Sequence, residues 1–195
     1  MSSPRLPAVR RRRQLLDVAL EVFAERGFHG TSMDEVAKAA GVTKPVLYQH
    51  FGSKRDLYRE LLDDVGQRLL EEVQKATAAA GGPRQQVTGG FEAYFRFVGE
   101  HESAFRLLFG GDGRERENEF ADAVRRVEDA MADAVAALIE ADIDPEHRRL
   151  LAYGIVGLAE TTSRYWVVGD RRDDPTTVSR RVAELAWAGL RGVRR

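Results

Sequence analysis

Residues 27–58 read GFHGTSMDEVAKAAGVTKPVLYQHFGSKRDLY, and that order of residues predicts two short helices joined by a tight turn. Thr31 or Ser32 can cap the first, with Asp34 or Glu35 three residues on to complete a capping box. Its apolar face is Met33, Val36, Ala37 and Ala40, and Gly41 closes it. Two residues later Thr43 can cap a second helix, Lys44 to about His50. Pro45 falls in its first turn, where a missing N–H costs little. The small side chain of Ala37 lets the two helices approach closely, and Gly41 makes the turn between them. Gly52 breaks the pattern, and Ser53 with Asp56 offers a cap for the helix that follows.

The second helix divides its labour. Leu47 and Phe51, four apart, point to a core, while Lys44, Pro45, Tyr48 and Gln49 fall on the opposite side. A surface helix has little reason to leave Pro, Tyr and Gln facing water beside a basic residue. In a DNA major groove each has a use. Lys44 can donate to guanine O6 and N7, Gln49 can pair an adenine edge, and Pro45 or Val46 can meet a thymine methyl. Tyr48, His50 and Lys54 have donors to hold phosphates and fix the docking angle. The start of the first helix, near Thr31, offers amides to a further phosphate.

Working outward, Arg10 to Arg13 precede Leu15, Leu16, Ala19, Leu20 and Phe23, which recur at helical spacing up to Gly27. Residues 10–56 therefore have the dimensions of a three-helix helix-turn-helix domain, with residues 1–9 a loose tail. The stretch quoted above resembles the N-terminal domain of the TetR (tetracycline repressor) family. Phe23, Gly27, Thr31, Val36, Ala37, Gly41-Val42-Thr43, Leu47-Tyr48, His50-Phe51 and Lys54 carry the resemblance. It implies phosphate contacts for Tyr48, His50 and Lys54, and base contacts for Lys44, Pro45 and Gln49. The position of Arg10 to Arg13 suits a phosphate or minor-groove arm.

Composition agrees with an all-α chain that reads a polyanion at one end. The sequence is 43% hydrophobic and 31% charged, enough apolar material for a real core and too much for a disordered chain. Residues 1–56 hold 10 Lys/Arg against 6 Asp/Glu, whereas residues 57–195 hold 20 against 25, so a basic head precedes an acidic body. There is no cysteine, hence no disulfide framework and no thiolate metal site. No signal peptide or apolar run of membrane length is present, and a cytoplasmic location is expected.

Residues 57–195 predict a helical body, bringing the total to about nine helices, and the resemblance implies that it is a ligand-binding and dimerisation domain. A long helix reaches about Ala79. Others carry Phe91 to Val98, Ser103 to Phe109, Glu115 to Ala141, Asp144 to Val168 and Pro175 to Val193, with Gly81-Gly82-Pro83 the clearest break. The resemblance implies an Ω-shaped homodimer in which the last two helices pair across the subunits. Gly154, Gly157, Ala186 and Gly189 would allow close approach, with Val178, Val182 and Leu185 as a seam. It also implies a pocket for an inducer. Phe95, Phe109, Phe120, Met131, Leu158, Tyr165 and Trp166 are its apolar candidates, and Thr161 and Thr162 its polar ones.

The expected function is a ligand-responsive DNA-binding regulator. By the family pattern it is a repressor released from double-stranded operator DNA by a small hydrophobic or aromatic effector. The resemblance implies a population shift in which helix 57–79 swings and the two reading heads lose their spacing. The rival readings are a non-inducible architectural DNA-binding protein and an enzyme. His29, His50, His101 and His147 show no metal spacing, and the glycines at 110–113 lack the Lys-Ser/Thr of a phosphate loop. No catalytic residue, metal or cofactor is expected, and no membrane partner.

Overall fold

Four of the prolines mark where helices begin. Pro45 lies in the first turn of α3 (Lys44–His50), and Pro83, Pro145 and Pro175 open α5 (Pro83–Glu100), α8 (Pro145–Val168) and α9 (Pro175–Leu190). At these positions the fixed φ is already helical and the lost N–H had no partner. The remaining helices are α1 (Ala8–Arg26), α2 (Met33–Ala39), α4 (Lys54–Ala78), α6 (Glu102–Phe109) and α7 (Ala121–Ala136). The computed structural model describes residues 8–109, 120–169 and 173–193; within them there are nine helices and no strand. The loop at 110–113 and residues 115–119 of the expected 115–141 helix lie outside the described residues. None of the described helices is long and apolar enough to cross a membrane.

Side-chain caps set several of these boundaries. Ser32 and Glu35 form the full capping box of α2: the Ser32 hydroxyl accepts from the Glu35 amide, and the Ser32 amide donates to the Glu35 carboxylate at 2.7 Å. Ser53 accepts from the Asp56 amide, Asp144 from that of His147 and Asp174 from that of Thr177. Gly27 (φ 70°) ends α1 and Gly41 (φ 65°) turns the chain from α2 toward α3. Among the described glycines only these two enter the left-handed region that favours glycine.

Head and body share one core. Leu15, Phe23, Val36, Leu47 and Phe51 of the head connect through Leu57, Leu61 and Leu62 of α4 to the buried residues of α5, α6 and α7. The expected boundary after residue 56 falls inside the first turn of α4, whose N-terminal half packs with the head. Phe120, at the N-cap of α7, seats its ring 4.7 Å from Phe28 and 4.5 Å from Tyr58. Ser103 of α6 donates to Glu21 of α1 at 2.6 Å, and Arg126 of α7 reaches Asp63 of α4. Further along, Gly66 lets α4 approach α7 closely, since a Cβ there would lie 2.3 Å from Val127.

Candidate DNA-reading face and ligand cavity

The recognition helix α3 is anchored by Leu47, which is fully buried, and by Phe51 just past its end. Thr43, Lys44, Pro45, Tyr48 and Gln49 are exposed, and His50 is half-buried. Thr43 occupies the N-cap position, but its hydroxyl makes no capping hydrogen bond. The Lys44 ammonium lies 3.0 Å from Asp34 of α2. This pairing raises the lysine's pKa, the hydrogen bond first and the charge second. Glu35 is held below the usual carboxylate range, chiefly by its hydrogen bonds to Ser32.

Two basic residues near this face are turned inward. Lys54 Nζ donates to the carbonyls of Phe28 and Thr31, both at 2.9 Å, and sits 4.3 Å above the Phe28 ring. Arg12 forms a fork on Glu60, donates to the His50 carbonyl at the end of α3, and lies over the Phe51 ring. Three separate segments of the head are thus tied together by one guanidinium.

The body contains a cavity of about 830 Å³. Its inner wall is mostly aliphatic and aromatic: Leu69 and Val73 of α4, Phe91 of α5, Phe109 of α6, Val127 and Met131 of α7. Ile155, Val156 and Ala159 of α8 close one side. Towards the rim the lining includes exposed Glu140 after α7 and exposed Arg191 at the end of α9. Tyr94 and Thr77 are buried polar residues of the lining. The Tyr94 hydroxyl is 3.1 Å from Ser163 Oγ, and burial pushes its pKa well up, so it stays a neutral phenol. The volume and the largely apolar lining are those of a small-molecule site.

Residues 15–61 match the family described as bacterial regulatory proteins, tetR family, and residues 83–189 match the tetracyclin repressor-like C-terminal domain. The chain belongs to the TetR family. It is 38% identical over 188 residues to the HTH-type transcriptional activator FasR of Mycolicibacterium smegmatis, covering 95% of this chain and 85% of that protein. A TetR-like transcriptional regulator from Rhodococcus sp. RHA1 superposes with a TM-score of 0.77 at 32% identity, over 96% of this chain and 100% of the other. The fold is shared with the regulator FadR of Bacillus subtilis, solved with stearoyl-CoA, at a TM-score of 0.78 and 20% identity. That alignment spans 89% of this chain and 96% of FadR. The protein is accordingly a DNA-binding transcriptional regulator.

Several residues expected to meet DNA have partners within the chain. Thr31 is buried, its hydroxyl donates to the Gly27 carbonyl at 2.9 Å, and its amide bonds to Phe28. The Ser32 amide is taken by Glu35, so the start of α2 offers no open pair of donors at these two residues. Lys54 braces the α1–α2 turn rather than extending toward solvent. Of the arginine run, Arg12 is committed as above and Arg13 is paired with Asp17 and Asp64. Arg10 is exposed, and Arg11 touches Gln14.

Of the residues expected to line a ligand pocket, Phe109 and Met131 line this cavity. Phe95 is wholly buried against Trp166, whose indole N–H donates to the Asp173 carbonyl. Phe120 is the head–body wedge. Thr162 returns its hydroxyl to the Leu158 carbonyl at 2.6 Å, Thr161 is exposed and Tyr165 is 82% exposed; none of these, nor Leu158, lines the cavity. Besides Glu140 and Arg191, the polar lining that sequence reasoning missed includes Gln74, Thr77, Gln86, Tyr94, Glu128 and Glu160. Periodicity alone had no means of separating these from solvated positions. The expected dimer seam is also redrawn: Val182 and Ala186 are buried within the subunit, where α9 lies along α5.

Proposed function

We propose that this regulator reads operator DNA as a homodimer through the outward face of α3, and that its cavity takes a long-chain acyl effector. The cavity carries the second half of this reading. A space of about 830 Å³ walled largely by Leu, Val, Phe and Met, with exposed Glu140 and Arg191 also in its lining, has apolar surface for an acyl chain and charged groups for a polar head. FadR of the same fold holds stearoyl-CoA in its crystal structure, so the architecture admits such a guest. For the head, Lys44, Pro45, Tyr48 and Gln49 are exposed together on one helix, where the N-terminal residues of a recognition helix meet base edges. Its place of action is the cytoplasm, with the DNA.

Effector binding acts by favouring one arrangement of the two heads over another. Phe109 and Val127 line the cavity, while α6 and α7 also contact the head through Ser103–Glu21 and Phe120–Phe28. A guest that displaces these helices therefore shifts the seat of α1 and α4. The reading commits to a change in operator affinity, since FasR is named an activator and the direction of transcriptional control depends on where the operator lies.

The test has two arms. Selection from random duplex DNA with the purified protein is expected to enrich a two-fold symmetric sequence, with half-sites about 34–36 Å apart or a multiple of that. Thermal unfolding with acyl-CoAs of graded length is expected to show stabilisation that grows with chain length. At a hundredfold excess over Kd it amounts to about 2.7 kcal/mol, and CoA alone gives none. Failure to enrich any sequence would remove the operator claim. Equal response to CoA and stearoyl-CoA would remove the acyl claim.

A further inference from the structure

Lys44, the first residue of α3, is tethered to the neighbouring helix. Its Nζ lies 3.0 Å from Oδ2 of Asp34 on α2, with the two side chains 51% and 65% exposed. The pair therefore lies at the surface that α3 turns outward. Asp34 takes no part in capping α2, which Ser32 and Glu35 perform between them. Nor does Glu35 compete for Lys44, because its carboxylate is engaged by Ser32 and by Arg26. A carboxylate at the edge of a face that meets a polyanion opposes binding, and such a group is a device for discrimination when it is coupled to a reading residue.

Granted that α3 is the base-reading helix, we propose that Asp34 is a specificity-determining residue. It holds Lys44 in an ion pair that weakens any contact the ammonium makes with a phosphate, and whose loss is best offset where a base edge in register offers two acceptors. An exposed pair of this kind is weak enough to be exchanged. A guanine presenting O6 and N7 together gives the ammonium two acceptors in exchange for the carboxylate's one hydrogen bond. On a wrong sequence Lys44 remains with Asp34, the pair adds no net charge to the contact, and non-specific phosphate binding is held down. Recognition at this base pair thus combines an attraction to the right edge with a penalty on every other.

Fluorescence anisotropy over a salt series tests this, using a short random-sequence duplex and the duplex recovered by selection. Asp34→Asn is expected to bind the random duplex about 2–5-fold more tightly. Its slope of log K against log salt should steepen by about one, the signature of one added phosphate contact. Affinity for the selected duplex should change less, so discrimination falls. In a Lys44→Ala background Asp34→Asn should have no such effect, and Asp34→Ala should repeat the result of Asp34→Asn. Unchanged binding of the random duplex by both Asp34 variants would overturn the proposal. So would an equal gain in the Lys44→Ala background, which would make Asp34 a plain repulsive charge. If Lys44→Ala instead kept full base-pair preference, the reading of α3 itself would fall, and this proposal with it.

Discussion

Lys54 illustrates how one side chain in the head can be spoken for by the fold. Its ammonium satisfies two carbonyls of the α1–α2 connection and faces the Phe28 ring, which is itself wedged against Tyr58 and Phe120. Hydrogen bonds from a charged donor are worth about 1.5–3 kcal/mol in net stability. Lys54→Met keeps the apolar stem and removes the donor, so denaturant unfolding should show a loss of that order. The residual DNA binding of the folded fraction should keep its salt slope, because no phosphate contact is lost. A drop in slope by about one would instead restore Lys54 to the DNA surface. Gly41 makes a complementary case. Nothing lies within 4 Å of a Cβ built there, so space is no obstacle to alanine, but its φ is +65°. Gly41→Ala should therefore cost about 1–2 kcal/mol from the backbone alone, measurable by the same unfolding titration.

At the scale of the element, the helices of the head were legible in the sequence because their signals are local. Capping residues, two left-handed glycines and a buried Leu47 all lie within a few residues of the boundary they set. The body was legible as helices but not as faces. α8 meets three environments: Ile155, Val156 and Ala159 line the cavity, Ala152, Ser163 and Trp166 are buried, and Leu150, Tyr165 and Val168 point outward. With apolar residues on every side, a 3.6-residue period cannot say which faces what. Thr162 misleads further, since helical hydroxyls satisfy themselves on their own carbonyls, as it and Ser163 do here. The caps of α8 and α9 carry a pH dependence. The His147 amide lowers the pKa of Asp144, and the Thr177 hydroxyl and amide lower that of Asp174. A carboxyl held lower in the folded chain contributes stability that is fully present above the ordinary aspartate range. That stability is lost as pH falls through about 4 and below. Melting temperatures followed from neutral to acid pH should fall less steeply for Asp144→Asn with Asp174→Asn. Asparagine keeps the capping oxygen and has no charge to lose.

At the scale of the whole molecule, what remains unpaired in one subunit points to what the assembly must cover. Leu150, Tyr165 and Val168 of α8 are 69%, 82% and 79% exposed, and Leu185 of α9 is 63% exposed. Gly154, Gly157 and Gly189 have open space where a Cβ would stand. Large apolar side chains beside glycines allow helix backbones of two copies to approach and bury those side chains between them. This is also the arrangement a two-fold operator needs, because a single head of three short helices contacts too few phosphates and base edges to hold one half-site alone. Joining two heads turns the second contact into an intramolecular event and multiplies affinity without any new interaction. Tyr165→Asp with Leu185→Asp should place four charges in the shared surface of a dimer and none in the subunit's own core. Sedimentation should then report a monomer whose helical content and melting transition are kept, while operator affinity falls by about a hundredfold or more. A variant that stayed dimeric would put the subunit contact on another face. A monomer that still bound the full operator tightly would show that one head suffices, and the requirement for paired heads would have to be abandoned.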